Sequence, residues 1–168
     1  MKTRRNNLVT ILNIIETVIF LLPVSKLNLF THNYSTLSLT TRGYLYVLFL
    51  GITIGFLLAY ETMKISNSFV YSLVIFMSLL LGTCIPHQVP YRMQGNIHLI
   101  FAYIGFAGLV TITVLNCKIK KYRDIYLLFI FISILIYLKY GMVNTLSEII
   151  VMLSTLFINY YLYIKDKF

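Results

Sequence analysis

The chain has 168 residues, 59% of them hydrophobic and only 11% charged, with a formal charge of +9 at neutral pH. Soluble domains carry about 25% charged residues, so this composition excludes an ordinary water-soluble globule, which would have too little polar surface to cover it. The basic excess does not point to nucleic acid, because Lys and Arg stand at the ends of apolar runs, where topology determinants belong, and form no phosphate-neutralising patch.

At about 20 residues per crossing, the length accommodates six spans and almost no separate soluble domain. The expected form is an all-α polytopic membrane helix bundle, with 1–168 as one six-helix transmembrane domain. The first apolar run, 8–24, follows Lys2, Arg4 and Arg5 as in a signal peptide. The segment Pro23-Val24-Ser25-Lys26-Leu27 offers no small-x-small cleavage site, so the run reads as an uncleaved first span. The second and third runs cover 43–60 and 68–86. The fourth to sixth cover 97–116, 124–141 and 146–164, the last two separated by a tight turn at Gly141.

Alternate connections carry unequal charge. Lys2, Arg4, Arg5, Lys64, Lys118, Lys120, Lys121, Arg123, Lys165 and Lys167 fall on one side, and only Lys26, Arg42, Arg92 and Lys139 on the other. The positive-inside rule then puts both termini and the 61–67 and 117–123 connections in the cytoplasm. The expected location is a plasma membrane, and the Ile-, Asn- and Lys-heavy usage resembles that of a bacterium. With no Trp, Tyr must supply the aromatic belts at both membrane faces. Cys84 and Cys117 close consecutive spans on opposite sides, too far apart for a disulfide.

Helices in lipid pack through small residues. The second span carries Gly51, Gly55 and Ala59 at every fourth position, and the fourth carries Ala102, Gly105 and Gly108. These two spans are the expected central packers.

Polar residues are costly inside a membrane and turn toward one another. Glu16 lies midway along the first span, on one face with Asn13 and Thr17. It is read as a proton or cation site or as a structural hydrogen bond, with Asn159, Ser154 or Thr155 of the sixth span as partner. In the sixth span Asn144, Glu148, Thr155 and Asn159 form an inward stripe. All three histidines, His32, His87 and His98, fall on the outer side. His98 and Glu148 come to similar depth, where a carboxylate–imidazole pair could tie two helices, orient a base or hold a metal. No metal is assigned, since His87 and His98 match neither HxxxH nor HExxH and position 102 is Ala. GxSxG, CxxC and a phosphate-binding glycine loop are missing too, so no catalytic residue or cofactor is assigned and the balance leans away from an enzyme.

One pattern reaches across residues 30–110. Tyr34, Ser35 and Ser38 precede Gly43-Tyr44-Leu45-Tyr46, and Pro86 leads to Gly95-Asn96-Ile97-His98, then Phe101-Ala102-Tyr103 and Phe106. This resembles the six-span DRAM/FRAG/SFK-like membrane proteins and their uncharacterised bacterial relatives, in which a serine-bearing first outer loop and a histidine opening the fourth span are typical. The chain departs from the group in lacking a Ser-Asp pair in that loop. The resemblance implies a lipid-linked or membrane-organising role and carries over to His98, Ser35 and Ser38.

The best-supported expectation is non-enzymatic engagement of a membrane lipid or small amphipathic ligand near the outer leaflet. The candidate ligand residues are His98, Glu148, Ser35, Ser38, His87 and Asn144, and the candidate intramembrane polar residues are Glu16, Asn13 and Asn159. A membrane-protein partner or a second copy would also fit; nucleic acid would not. One alternative is a small transporter or the substrate-binding membrane subunit of an uptake system, similar in length and span number to vitamin-capturing components. The other is a metal- or His/Glu-dependent membrane-embedded hydrolase or transferase.

Overall fold

In a computed structural model, residues 2–85 and 93–165 are described, with side chains for 7–85 and 96–165. The described chain is all helix and turn: α1 (Lys2–Leu21), a 3₁₀ turn (Leu22–Lys26), the short α2 (Tyr34–Leu37), α3 (Thr41–Ser66), α4 (Phe69–Cys84), α5 (Met93–Asn116), α6 (Lys120–Tyr140) and α7 (Thr145–Lys165). Among the described residues four helical segments, Asn7–Lys26, Thr41–Ser66, Asn96–Asn116 and Thr145–Lys165, are long and apolar enough to cross a membrane. α4 is apolar but only 16 residues long. α6 is long enough, but Lys120, Lys121, Arg123, Asp124 and Lys139 crowd its two ends.

Local chemistry sets the boundaries. Pro23 has no N–H to continue α1, and the chain tightens there into the 3₁₀ turn. The Thr40 side chain accepts from the Gly43 N–H to start α3, and Ser68 does the same for Tyr71 in α4. α3 ends on Asn67 in the left-handed region, φ 52°. α6 ends on Gly141, φ 69°, whose N–H returns to the Tyr137 carbonyl at 2.8 Å. That is the tight turn expected between the last two helices.

Two connections are shorter than the sequence reading has them: 117–123 shrinks to 117–119, because residues 120–123 form the first turn of α6, and 61–67 shrinks as well. Residues 61–66 are the last turns of α3 and not a connection; nothing before Asn67 breaks the helix, and Glu61, Thr62 and Ile65 are buried. The turn to α4 is made by Asn67 and Ser68 alone.

The small-residue faces pack differently from the expectation as well. α3 and α5 each press mainly on α4, which lies between their glycine faces. A Cβ on Gly51 would collide with the Thr83 side chain. A Cβ on Gly55 would sit 3.8 Å from the Leu79 Cβ, and one on Gly105 would come within 3.0 Å of the Leu79 Cδ2. Gly108 faces Ile75, and Gly82 of α4 in turn faces the backbone of Ala102 at 3.3 Å. The central packer is therefore the helix that carries the large side chains, with a groove of glycines on each flank.

α7 packs against α1, α3, α5 and α6, and α6 has α7 as its main neighbour. One apolar cluster joins α1, α3, α4, α5 and α7 around Leu58, Ile75, Leu109, Leu156 and Tyr163. A second joins α5, α6 and α7 around Tyr126, Ile130, Ile158 and Leu162. The outer surface is apolar too: Phe56, Phe69, Val70, Leu115 and Leu138 are each exposed by more than half.

Replacing Gly51 by Val should lower stability by about 1–3 kcal/mol through overpacking against α4. Thr83→Ala in the same chain should recover part of the loss, read as melting temperatures of the purified protein in detergent.

Candidate functional site

The segment between α1 and α3 folds back over one end of the bundle and is stitched to the start of α7. The Thr145 N–H donates to the His32 carbonyl at 2.6 Å, joined by the Thr145 hydroxyl at 2.8 Å. The Leu146 N–H donates to the Leu29 carbonyl at 3.0 Å. These bonds satisfy first-turn donors that a helix cannot satisfy itself. Asn144 precedes that turn: its side chain accepts from the Ser147 N–H at 3.0 Å while the Ser147 hydroxyl accepts from the Asn144 N–H at 3.1 Å. Asn144 is thus the reciprocal cap of α7.

The same segment carries α2. Asn33 caps it through a box with Thr36. The Tyr34 N–H donates to Glu148 Oε2 at 2.7 Å, and its hydroxyl donates to the Phe20 carbonyl at 2.6 Å. The Tyr34 ring stacks on Phe20 with centroids 4.3 Å apart. Burial first, then the Glu148 carboxylate and Tyr46, push the Tyr34 hydroxyl above the ordinary phenol range, so it stays a donor. The carbonyl of Ile19, which Pro23 leaves without its usual i+4 donor, receives the Tyr46 hydroxyl instead. One helix break is thus mended from α3.

Beside Tyr34, the Ser35 hydroxyl meets His98 Nε2 at 3.1 Å, and His98 Nδ1 lies 2.9 Å from the Ile85 carbonyl. A carbonyl only accepts, so Nδ1 carries the proton, and in the neutral ring Nε2 is the acceptor for the Ser35 O–H.

These groups close the polar end of a cavity of about 740 Å³. Its walls come from α3 (Leu50, Ile54), α4 (Leu79, Thr83), α5 (Leu99, Ala102, Tyr103, Phe106), α6 (Ile130, Ile134, Tyr137) and α7 (Val151, Met152), and its polar end from Asn33, Ser35, His98 and Glu148. Among the described lining residues there is no Lys or Arg. At the far end α5, α6 and α7 converge on Tyr126, whose hydroxyl meets Thr155 at 3.0 Å and also bonds Thr113. α5 and α6 are not close packing partners, and the half-exposed Tyr103 and Tyr137, one from each, line the cavity.

Four of the sequence-named ligand candidates gather here in two ways. His98, Ser35 and Glu148 line the cavity, the first two in direct contact, whereas Asn144 stands just behind as a cap. His98 and Glu148 each take a neighbouring residue of α2 as partner, and α2 is the tie between them. Ser38 closes α2 by donating to the Ser35 carbonyl at 2.6 Å. His87 lies outside the described residues. His32 serves through its carbonyl, with its Nδ1 accepting from the Asn28 N–H at 3.1 Å.

The intramembrane candidates take other partners than those expected. Glu16 accepts from the Thr53 hydroxyl of α3 at 3.0 Å, not from α7. Thr155 is engaged by Tyr126, and Ser154 donates to its own helix at Val151. Asn159 accepts from Thr113 of α5 at 2.7 Å. Asn13 donates to Glu61 at 2.6 Å. Glu61, fully buried, is the residue that sequence reading missed by ending the second span at 60. The absence of any breaker between Ala59 and Asn67 was the available signal. Glu61 Oε2, Thr62 Oγ1, Asn159 Nδ2 and Asn144 Nδ2 are buried without a partner among the described residues.

Among the described residues no three of His, Cys, Asp and Glu come together as a metal site. The site is the polar end of a mostly apolar cavity in an all-helical bundle. No known family, curated protein or solved structure matches the chain.

Asn13→Leu would leave both Glu61 oxygens unpaired in the α1–α3 seam and should cost about 1–3 kcal/mol. Glu61→Gln, which still accepts from Asn13, should cost much less. Thermal unfolding in detergent separates the two.

Proposed function

We propose that the chain is a six-span plasma-membrane protein, both termini cytoplasmic, that takes a lipid or small amphipathic molecule into the cavity from the outer leaflet. α1 and α3 to α7 serve as the spans, and the Lys and Arg excess on one set of connections supports the orientation. α4 extends about 24 Å at 1.5 Å per residue, short for a crossing, and its place between two glycine grooves supports counting it as an interior span.

The observation that carries the reading is the cavity's polarity. Its walls are mostly apolar, the hydroxyls of Thr83 and Ser133 being turned back onto their own helices, and Asn33, Ser35, His98 and Glu148 are gathered at the α2 end. That distribution matches an amphiphile with its chain inside and its head at Ser35, His98 and Glu148. Its volume lies within the roughly 300–1,000 Å³ of small-molecule sites. The half exposure of Tyr103 and Tyr137, which line the cavity, supports a route from the bilayer without passage through water. With Glu148 present and no described Lys or Arg in the lining, a head rich in hydrogen-bond donors fits better than an anionic one. The resemblance to the DRAM/FRAG/SFK-like group supports the same role, since Ser35 and His98, which it carries over, are in contact.

Native mass spectrometry of the purified protein should show one retained lipid. Ile134→Trp, which enlarges a half-exposed cavity-lining side chain, should reduce that occupancy severalfold at unchanged melting temperature. An empty wild-type protein, or full occupancy in the variant, would count against the reading. A reporter fused within 117–119 should be active on the cytoplasmic side, and an outside signal would overturn the orientation.

A further inference from the structure

We propose that Ser35 and His98 form a nucleophile–base pair that transfers the acyl group of an ester-bearing amphiphile held in the cavity; this rests on the cavity reading above and goes beyond binding.

Three features of the geometry carry it. The Ser35 hydroxyl and His98 Nε2 are 3.1 Å apart, within reach of direct proton transfer. The Ile85 carbonyl at 2.9 Å fixes the ring with its proton on Nδ1, which leaves Nε2 the basic nitrogen facing the hydroxyl. A nucleophile, a base and a group that orients the base are three of the parts a serine-type site uses, whatever fold presents them. Second, Ser35 and His98 both line the cavity, at the end where Asn33 and Glu148 also stand and where an ester linking a polar head to an apolar chain would come to rest. Third, α2 is held still. Tyr34, the residue before Ser35, is fixed through its N–H to Glu148 and through its hydroxyl to Phe20. Glu148 is thereby a positioning residue.

The chemistry balances with water as the only co-reactant. The Ser35 oxygen attacks the ester carbonyl carbon while His98 Nε2 takes the hydroxyl proton. The bond from that carbon to the alkoxy oxygen breaks, and the alcohol leaves with the proton from His98. Water then attacks the acylated Ser35 with His98 again as base, releasing the fatty acid and restoring the serine. A second alcohol in place of water would give transfer instead of hydrolysis.

The test uses the full chain in detergent with a long-chain alkyl fluorophosphonate and with 4-nitrophenyl palmitate. The phosphonate should label Ser35, located by peptide mass spectrometry, and Ser35→Ala should abolish both label and ester turnover. His98→Gln should slow both by at least about 100-fold. Glu148→Ala, which removes both the Tyr34 anchor and a contact of the head, should lower kcat and raise KM, and Glu148→Gln, which still accepts from Tyr34, should restore kcat. Native mass spectrometry on the same samples reports retained lipid as the measure of an intact cavity. Wild-type protein that holds lipid but takes no label, or turnover that survives Ser35→Ala, overturns the dyad and leaves the binding reading standing. Protein that holds no lipid and takes no label overturns both.

Discussion

The arrangement at the cavity depends on a single constraint, the satisfaction of donors at the start of α7. In apolar surroundings an unpaired first-turn N–H is expensive. The carbonyls of Leu29 and His32 meet that demand, and in doing so draw the α1–α3 segment across the bundle end. With the segment fixed, α2 has one place to lie, Tyr34 finds Phe20 and Glu148, and Ser35 faces His98. A backbone requirement of one helix thus determines where side chains from three others meet.

The same logic explains the polar pairs deeper in the bundle. Each buried polar side chain of α1 looks to α3: Asn13 to Glu61 and Glu16 to Thr53. The hydroxyl of Thr10 reaches Tyr160 of α7 at 2.6 Å. Thr113 and Asn159 link α5 to α7, and Tyr126 binds α6 to both. Apolar contact alone distinguishes poorly between neighbours whose outer surfaces are equally greasy. These pairs give the packing its register.

Much of this was legible in the sequence. Apolar runs gave the six long helices to within a few residues at most ends, because hydropathy and breakers such as Pro23 and Gly141 act locally. The inward direction of His98, Thr155 and Asn159 was legible for the same reason, since a periodic polar stripe in an apolar helix has few places to go. Partner identity was not. Glu16 was assigned to the sixth span because nothing in one chain says which helices touch, and the structure pairs it with Thr53. The glycines of the second and fourth spans announced close packing but not its object, for a small-residue groove specifies a shape and Leu79 and Ile75 of α4 supply it. Glu61 was lost by a different route: a charged residue next to Lys64 resembles the start of a water-facing turn, and only burial distinguishes the two. The short α2 has no periodicity of its own, and its cap box in Asn33 and Thr36 is too common a pattern to read alone.

The meeting of α5, α6 and α7 at Tyr126 has a mechanical consequence. One phenol hydroxyl fastens α6 to Thr155 of α7 and to Thr113 of α5, so a single atom serves as the rivet of three rods. Losing that hydroxyl would loosen all three at one level, which makes Tyr126 a point of concentrated mechanical dependence.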